Sequence, residues 1–318
     1  MIGLWLENQI LSLRHDLLLP GVGTGEALIR PRLAGICSTD LELCRGYYPF
    51  QGVPGHEFVG EVVEAPGAPE WIGRRVVGDI NIACGQCTAC LAGRPHHCLR
   101  RRTLGIHAWN GCFAEYFTLP VSNLYLVDPE IPDEAAVFSE PLAAALEIQS
   151  QVPVQAGMRV LVVGAGRLGL LAGLSLALTG CDLAVVARRP RPQVILREHA
   201  IPYLAAEDIP PHQADVVVEA TGSREGFGLA RLAVRAGGTI VMKSTFKGDT
   251  RLNLSELVVD EITLVGSRCG PHPEALRLMQ TKAIDPCRLI DAIFPLADGL
   301  AAFEQAAQPG TLKILLRP

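Results

Sequence analysis

Residues 158–180 read MRVLVVGAGRLGLLAGLSLALTG, and this stretch decides the fold. Arg159–Val163 is a short apolar run of the kind that forms a strand buried on both faces. Gly164, Gly166 and Gly169 follow in a G-x-G-x-x-G spacing, and an apolar helix then runs to Gly180. In such a turn the first glycine permits the tight bend. The second lets the backbone approach a pyrophosphate, and the third lets helix and strand pack closely. Free N–H groups at the helix N-terminus favour an anion there. The stretch therefore predicts a dinucleotide site whose phosphates meet Gly164, Gly166, Arg167, Leu168 and Gly169.

Outward from this turn, apolar runs at Leu183–Ala187, Ala214–Glu219, Thr239–Lys243 and Ile262–Gly266 read as further strands, with a weaker candidate near Ile201–Leu204. They alternate with helical stretches such as 224–235, so the fold class is α/β with a Rossmann doubly wound parallel sheet. Before about residue 125 the texture differs. Short runs at Glu26–Leu33, Phe58–Glu64 and Arg75–Val77 are broken by Gly and Pro, as in an irregular β-domain. Pro271–Ile284 reads as helix, and Ile290–Leu296 and Leu312–Leu316 read as strands outside the alternation, so the chain is expected to return to its first domain. The expected division is 1–142 with 269–318 around an inserted 143–268, and Gln149–Gly157 is the linker candidate.

The end of the second Rossmann strand bears on which dinucleotide binds. NAD sites place an acid there for the ribose diol, but this strand ends Val186-Ala187-Arg188-Arg189 and the nearby Asp182 lies at its beginning. Two guanidiniums suit a 2′-phosphate, so NADP is expected over NAD; solvated loop arginines are the plainer alternative. Thr221 and Gly222, just past the third strand, join the cofactor candidates.

The composition excludes several classes. Of 318 residues, 49% are apolar and 19% charged, which excludes a disordered chain. The net charge of −5 argues against a nucleic-acid binder. The N-terminus MIGLWLENQI has no basic leader segment, and the longest uncharged apolar stretch, Leu168–Cys181, is shorter than the roughly 20 residues a spanning helix needs. A cytoplasmic protein with no membrane or nucleic-acid partner is expected.

Ten cysteines are unevenly placed. CGQCTACLAGRPHHC sets Cys84, Cys87, Cys90 and Cys98 in a C-x2-C-x2-C-x7-C arrangement. Two-residue gaps let thiolates wrap one ion, and four thiolates close a tetrahedral zinc shell with no open position, a structural site. An iron–sulfur cluster is the competitor, though Leu99 stands where ferredoxins have proline. A nucleic-acid-binding zinc ribbon would use Arg94 and Arg100 to Arg102, but one basic run in an acidic chain reads as a solvated face, and His96 and His97 as surface residues.

Two more segments, GICSTDLELCRGYYPFQGVPGHEFVGEV and FSEPLAAALE, complete a pattern. With the cysteine loop and the glycine turn, the whole chain resembles the zinc-containing medium-chain dehydrogenases, the alcohol, polyol and threonine dehydrogenase family. The resemblance implies a GroES-like β-rich catalytic domain around the Rossmann domain, with two zinc ions per chain. It makes Cys37 and His56 ligands of a catalytic zinc, with Glu140 the third ligand and Glu57 a neighbouring carboxylate able to exchange onto the metal. It gives Asp40 the role of orienting the zinc-bound histidine, and Thr39 that of taking the substrate proton. Zn²⁺ with one thiolate, one neutral imidazole and one carboxylate sums to zero and leaves a position open for an alcohol.

The family often has histidine three residues after that threonine, where this chain has Glu42, either a relay to solvent or a salt-bridged surface acid. Tyr47, Tyr48 and Trp109 are candidate substrate contacts that core packing explains equally well. The expected activity is hydride transfer between NADP and a small alcohol or its carbonyl product, with polyols or sugars favoured by Glu140. The expected assembly is a homodimer or homotetramer. The rivals are a zinc-free quinone or enoyl reductase and a nucleotide-binding protein without turnover, and metal analysis separates them.

Overall fold

The computed structural model describes residues 1–245, 249 and 252–318. The chain divides into two compact units, Met1–Glu140 with His272–Pro318, and Pro141–Pro271.

In the second unit six strands form one parallel sheet in the order 203–204, 182–186, 159–163, 214–219, 234–242, 263–266. The order reverses between Arg159–Val163 and Ala214–Glu219, the switch point of a doubly wound sheet. Leu161, Val163, Val186, Val217 and Ile240 fill a core that Ala230 and Ala233 of the helix Arg224–Ala233 close from one side. Burial on both faces explains the unbroken apolar strands.

Two boundaries differ from the sequence expectation. The helix expected to reach 235 stops at Ala233, and the next strand begins at once, running Val234–Met242. Gly237-Gly238 lies within that strand rather than before it. A Cβ on Gly238 would meet Val234 Cγ2 at 2.6 Å and Asp215 O at 3.0 Å, so Gly238 answers to close packing, while Gly237 takes φ +68°, a left-handed bend that favours glycine. The linker at 149–157 is shorter than expected because the helix Ser139–Gln151 occupies its start.

The first unit is built on a seven-stranded sheet in the order 290–295, 313–317, 26–35, 57–64, 75–78, 124–126, with Phe117–Pro120 added against residues 26–29. The C-terminal strands Ile290–Pro295 and Lys313–Arg317 are parallel to each other, and the second of them is antiparallel to Glu26–Gly35. Phe58 and Phe117 pack edge to face across its core, 4.8 Å between centroids. Among the described residues, no helix is long and apolar enough to cross a membrane.

Candidate functional site

Strand register brings distant residues to one end of the first unit's sheet. Gly35 pairs with Glu57 in the antiparallel register of Glu26–Gly35 and Glu57–Glu64. Cys37, two residues beyond the first strand, and His56, one before the second, therefore meet. Donor atoms of Cys37, His56 and Glu57 all lie within 4.8 Å of one another. Glu140 is not part of this cluster. It sits half-buried in the first turn of Ser139–Gln151, engaged in interactions of its own.

The surroundings of the cluster fit a metal. Asp40 accepts a 2.8 Å hydrogen bond from the Cys37 backbone N–H through Oδ2. Its Oδ1 faces His56 Nδ1 at 3.2 Å, and both atoms are buried with no other hydrogen-bond partner. With Nδ1 turned to Asp40, Nε2 is the ring nitrogen left for a metal. Burial opposes charge on His56, yet Asp40 and Cys37 together hold its pKa well above the ordinary value. These neighbours favour a cation beside them, and one thiolate, one imidazole and one carboxylate form a donor set suited to Zn²⁺.

The Glu57 carboxylate is tightly fixed. A Cβ on Gly35 would fall 2.3 Å from Glu57 Oε2, so a larger residue there would push the carboxylate from its place. The same oxygen accepts from Lys313 Nζ. Lys313 had no role in the sequence reading, since one lysine heading an apolar strand carries no motif. Nearby, Thr39 Oγ1 lies 3.7 Å from Cys37 Sγ. Glu42 is paired with Arg45 at 2.6 Å, the salt-bridged alternative. Tyr47 is half-buried, and Tyr48 is exposed with its ring edge-on to His107. Trp109 donates its indole N–H to Thr118 O at 2.7 Å and is covered by the Arg102 guanidinium, contacts that bind it to its own unit.

The four cysteines 84, 87, 90 and 98 form the second cluster. Sγ separations of 3.5 Å (Cys87–Cys90) and 3.8 Å (Cys87–Cys98) far exceed a disulfide bond. They approach the edge of about 3.8 Å that a tetrahedron with 2.3 Å Zn–S bonds requires. Backbone N–H groups, that of Gln86 foremost, pull the Cys84 thiol down to about 6. Burial and the adjacent thiols push Cys90 up to about 11. Four thiol groups held this close, with Cys84 and Cys87 drawn toward the thiolate, suit a cation.

The sequence reading of the flanking residues needs correction. His96 is not a plain surface residue, because its Nε2 lies 2.6 Å from Asp79 Oδ2. Arg100 reaches Cys84 Sγ, Arg101 donates to His96 O, and Arg102 covers Trp109, so these arginines also serve the loop, while Arg94, Arg100 and Arg102 stay exposed, in keeping with the solvated face expected. The partners stand far off in sequence or on the backbone, so no local pattern announced them.

In the second unit, Gly164 adopts φ +106°, open to glycine, and a Cβ on Gly169 would strike Gly164 O at 1.8 Å. Gly166 caps the helix Arg167–Ala177, and a Cβ there would meet nothing within 4 Å. That open space beside helical N–H groups fits a pyrophosphate. Arg167 and Leu168 open the helix, half-buried. Arg188 and Arg189 are exposed past the strand Asp182–Val186, with Arg189 capping the helix Pro190–Glu198. Arg191, also exposed in that first turn, is a third guanidinium the sequence reading passed over. Thr221 and Gly222 follow Ala214–Glu219, where Thr221 N–H and Oγ1 both donate to Glu219 Oε1.

Comparison with known proteins gives concordant matches. Residues 23–129 match the family model of the alcohol dehydrogenase GroES-like domain. The chain is 32% identical over 310 residues to L-galactonate-5-dehydrogenase of Escherichia coli (strain K12), covering 90% of this chain and 89% of that one. It is 30% identical over 309 residues to D-altritol 5-dehydrogenase of Agrobacterium fabrum, covering 91% of each. Among solved structures, one assigned as a zinc-binding dehydrogenase from Sinorhizobium meliloti 1021, bound to NADP, superposes with a TM-score of 0.90 at 30% identity, over 100% of this chain and 99% of that one.

Proposed function

Because this chain belongs to the zinc-containing medium-chain dehydrogenase/reductase family, and is in class an NAD(P)-dependent alcohol dehydrogenase, we propose that it moves hydride between NADP and a polyol- or sugar-like alcohol at a zinc site formed by Cys37, His56 and Glu57. The observation that carries this reading is the meeting of those three donors with Asp40 behind the histidine. Zinc bound there supplies a Lewis acid that acidifies a substrate hydroxyl.

The chain's own residues do the rest. Asp40 holds His56 by Nδ1, leaving Nε2 free to bind the metal. Glu57 is the third ligand, and Glu140 is the alternative. Thr39 accepts the substrate proton, and Glu42, beyond it on the helix Ser38–Cys44, passes it to solvent. Cys84, Cys87, Cys90 and Cys98 hold a second, structural zinc. Gly164, Gly166 and Gly169 admit the pyrophosphate, and Arg188 and Arg189 favour NADP over NAD by binding its 2′-phosphate. Thr221 and Gly222 face the cofactor, with Tyr47 and Trp109 as secondary candidates for substrate contact. We place the enzyme in the cytoplasm as a homodimer or homotetramer without nucleic-acid or membrane partners.

The names of two relatives, dehydrogenases of L-galactonate and D-altritol, favour polyhydroxylated substrates. A panel of alcohols, polyols and sugar acids with NADP⁺ and NAD⁺, on protein whose zinc has been counted, tests the reading. Two zinc ions per chain and faster turnover with NADP⁺ are expected. One zinc with no turnover of any alcohol would sink it.

A further inference from the structure

Glu219 is a buried carboxylate that none of the assigned roles uses. It ends the strand Ala214–Glu219 and is 1% exposed. Its Oε1 accepts from Thr221 N at 2.7 Å and Thr221 Oγ1 at 2.5 Å, and its Oε2 accepts from Ser244 Oγ at 2.5 Å. All three donors are neutral, and no Lys, Arg or His among the described residues pairs with it. Short O–H···O contacts of this kind mark an ionised acceptor. A buried charge without a counter-ion is costly, so the fold holds it by hydrogen bonds alone.

The network reaches into the candidate cofactor loop. Ser244 Oγ accepts from Gly222 N at 2.8 Å, and Thr221 Oγ1 accepts from Ser223 N at 3.1 Å. Gly226 backs the cluster, since a Cβ there would lie 1.9 Å from Thr221 Oγ1 and 2.7 Å from Glu219 Oε1. In register, Glu219 stands beside Val163, the residue before the glycine turn, and Ala220 N donates to Val163 O at 2.9 Å. The carboxylate is therefore at the switch point of the sheet, on the strand that opens its second half.

Resting on the proposed dinucleotide reading, the ends of the cofactor can be allotted. Arg188 and Arg189 follow a strand of the first half and take the adenosine ribose, so the nicotinamide belongs to the second half, over the strand that Glu219 ends. The nicotinamide ring carries a positive charge when oxidised and none when reduced. We propose that Glu219 is a positioning residue whose uncompensated charge biases this site toward the oxidised cofactor. It anchors Thr221 and, through Ser244, Gly222, and its field acts on the ring in a poorly screened environment.

Calorimetric titration of the whole protein with NADP⁺ and NADPH tests this without turnover. Wild type should bind NADP⁺ at least as tightly as NADPH. E219Q keeps the shape and an acceptor for Thr221 but loses the charge. It should raise Kd for NADP⁺ about tenfold and leave NADPH within about twofold. S244A keeps the charge and should leave the NADP⁺/NADPH ratio as in wild type. An unchanged ratio in E219Q, whether both forms bind normally or both weaken equally, overturns the proposal. So does a wild type that clearly prefers NADPH, a result independent of how the variants fold. Failure of wild type to bind either form overturns the dinucleotide reading itself, and this inference with it.

Discussion

Lys313 and Glu57 form an ion pair in which both side chains are buried, 2% and 1% exposed. Register explains the meeting: Leu315 pairs with Gly35, so Lys313 stands level with Cys37 at the end of the sheet where the donors gather. Lys313 also lies over the Phe138 ring. Two buried charges justify their desolvation only together, and removing one strands the other. Lys313→Met should lower unfolding free energy by about 3–5 kcal/mol in denaturant titration. A loss below 1 kcal/mol would mean that Glu57 does not depend on this lysine.

Gly35→Ala places a methyl group on the Glu57 carboxylate. Neither strand has slack there, because Gly35 and Glu57 are register partners. Of the two zinc ions proposed per chain, elemental analysis should show one lost, with the cysteine cluster keeping its own. Full retention of both ions would detach Glu57 from the metal.

Charge at Arg188 and Arg189 should matter for one cofactor only. The double change to alanine is expected to raise KM for NADP⁺ at least about tenfold and leave KM for NAD⁺ within about twofold. Equal loss for both cofactors would return these arginines to the solvated loop.

Glu42 is pulled between Arg45 and the proposed proton path. As a relay its carboxylate would pass on the proton from Thr39, so Glu42→Ala should slow alcohol oxidation and change the shape of its pH–rate profile. A pH–rate profile parallel to wild type would leave Glu42 as the partner of Arg45 alone.

His272 offers a stability test outside the chemistry. Burial lowers its pKa from 6.5 to about 4, with the Asp79 charge opposing the shift and His96 adding to it. Between those values the unfolded chain binds a proton that the folded chain refuses. Stability contributed by neutral His272 is therefore complete above pH 6.5 and declines as pH falls toward 4, by about 3 kcal/mol in all. His272→Gln keeps a partner for Ser139 and cannot titrate, so its acid limb should be flatter. An identical limb would assign the loss to other groups.

What the sequence disclosed and what it hid follow from range. The glycine turn and the cysteine loop are local devices: bend, ligand spacing and helix start all lie within a few residues, so residue type reports them directly. Cys37 and His56 became legible only through a family pattern, since their meeting depends on a strand register set by turns far from either. Lys313, Glu219 and the Asp79–His96 pair stayed hidden. Each is a charged residue with at least one partner from another loop or strand, and in sequence such residues look like ordinary surface charges. The strand from Val234 is hidden because a Gly-Gly pair reads as a turn, as Gly237 with its positive φ locally is, and only the structure shows the backbone of Arg235 and Asp215 pressing on Gly238.

Ser139 Oγ and His272 Nδ1 share a buried 2.9 Å hydrogen bond, with Tyr125 stacked on the imidazole. Ser139 stands just before the chain leaves the first unit, and His272 is the first residue after it returns. For the first unit, then, the whole of Pro141–Pro271 is a single loop whose two ends are pinned one hydrogen bond apart. The entropy of closing a loop grows only with the logarithm of its length. A pinned exit and re-entry thus lets a β-rich unit carry a complete second unit at nearly the cost of a short connection, and the same closeness would let that second unit be cut out and replaced by a few residues.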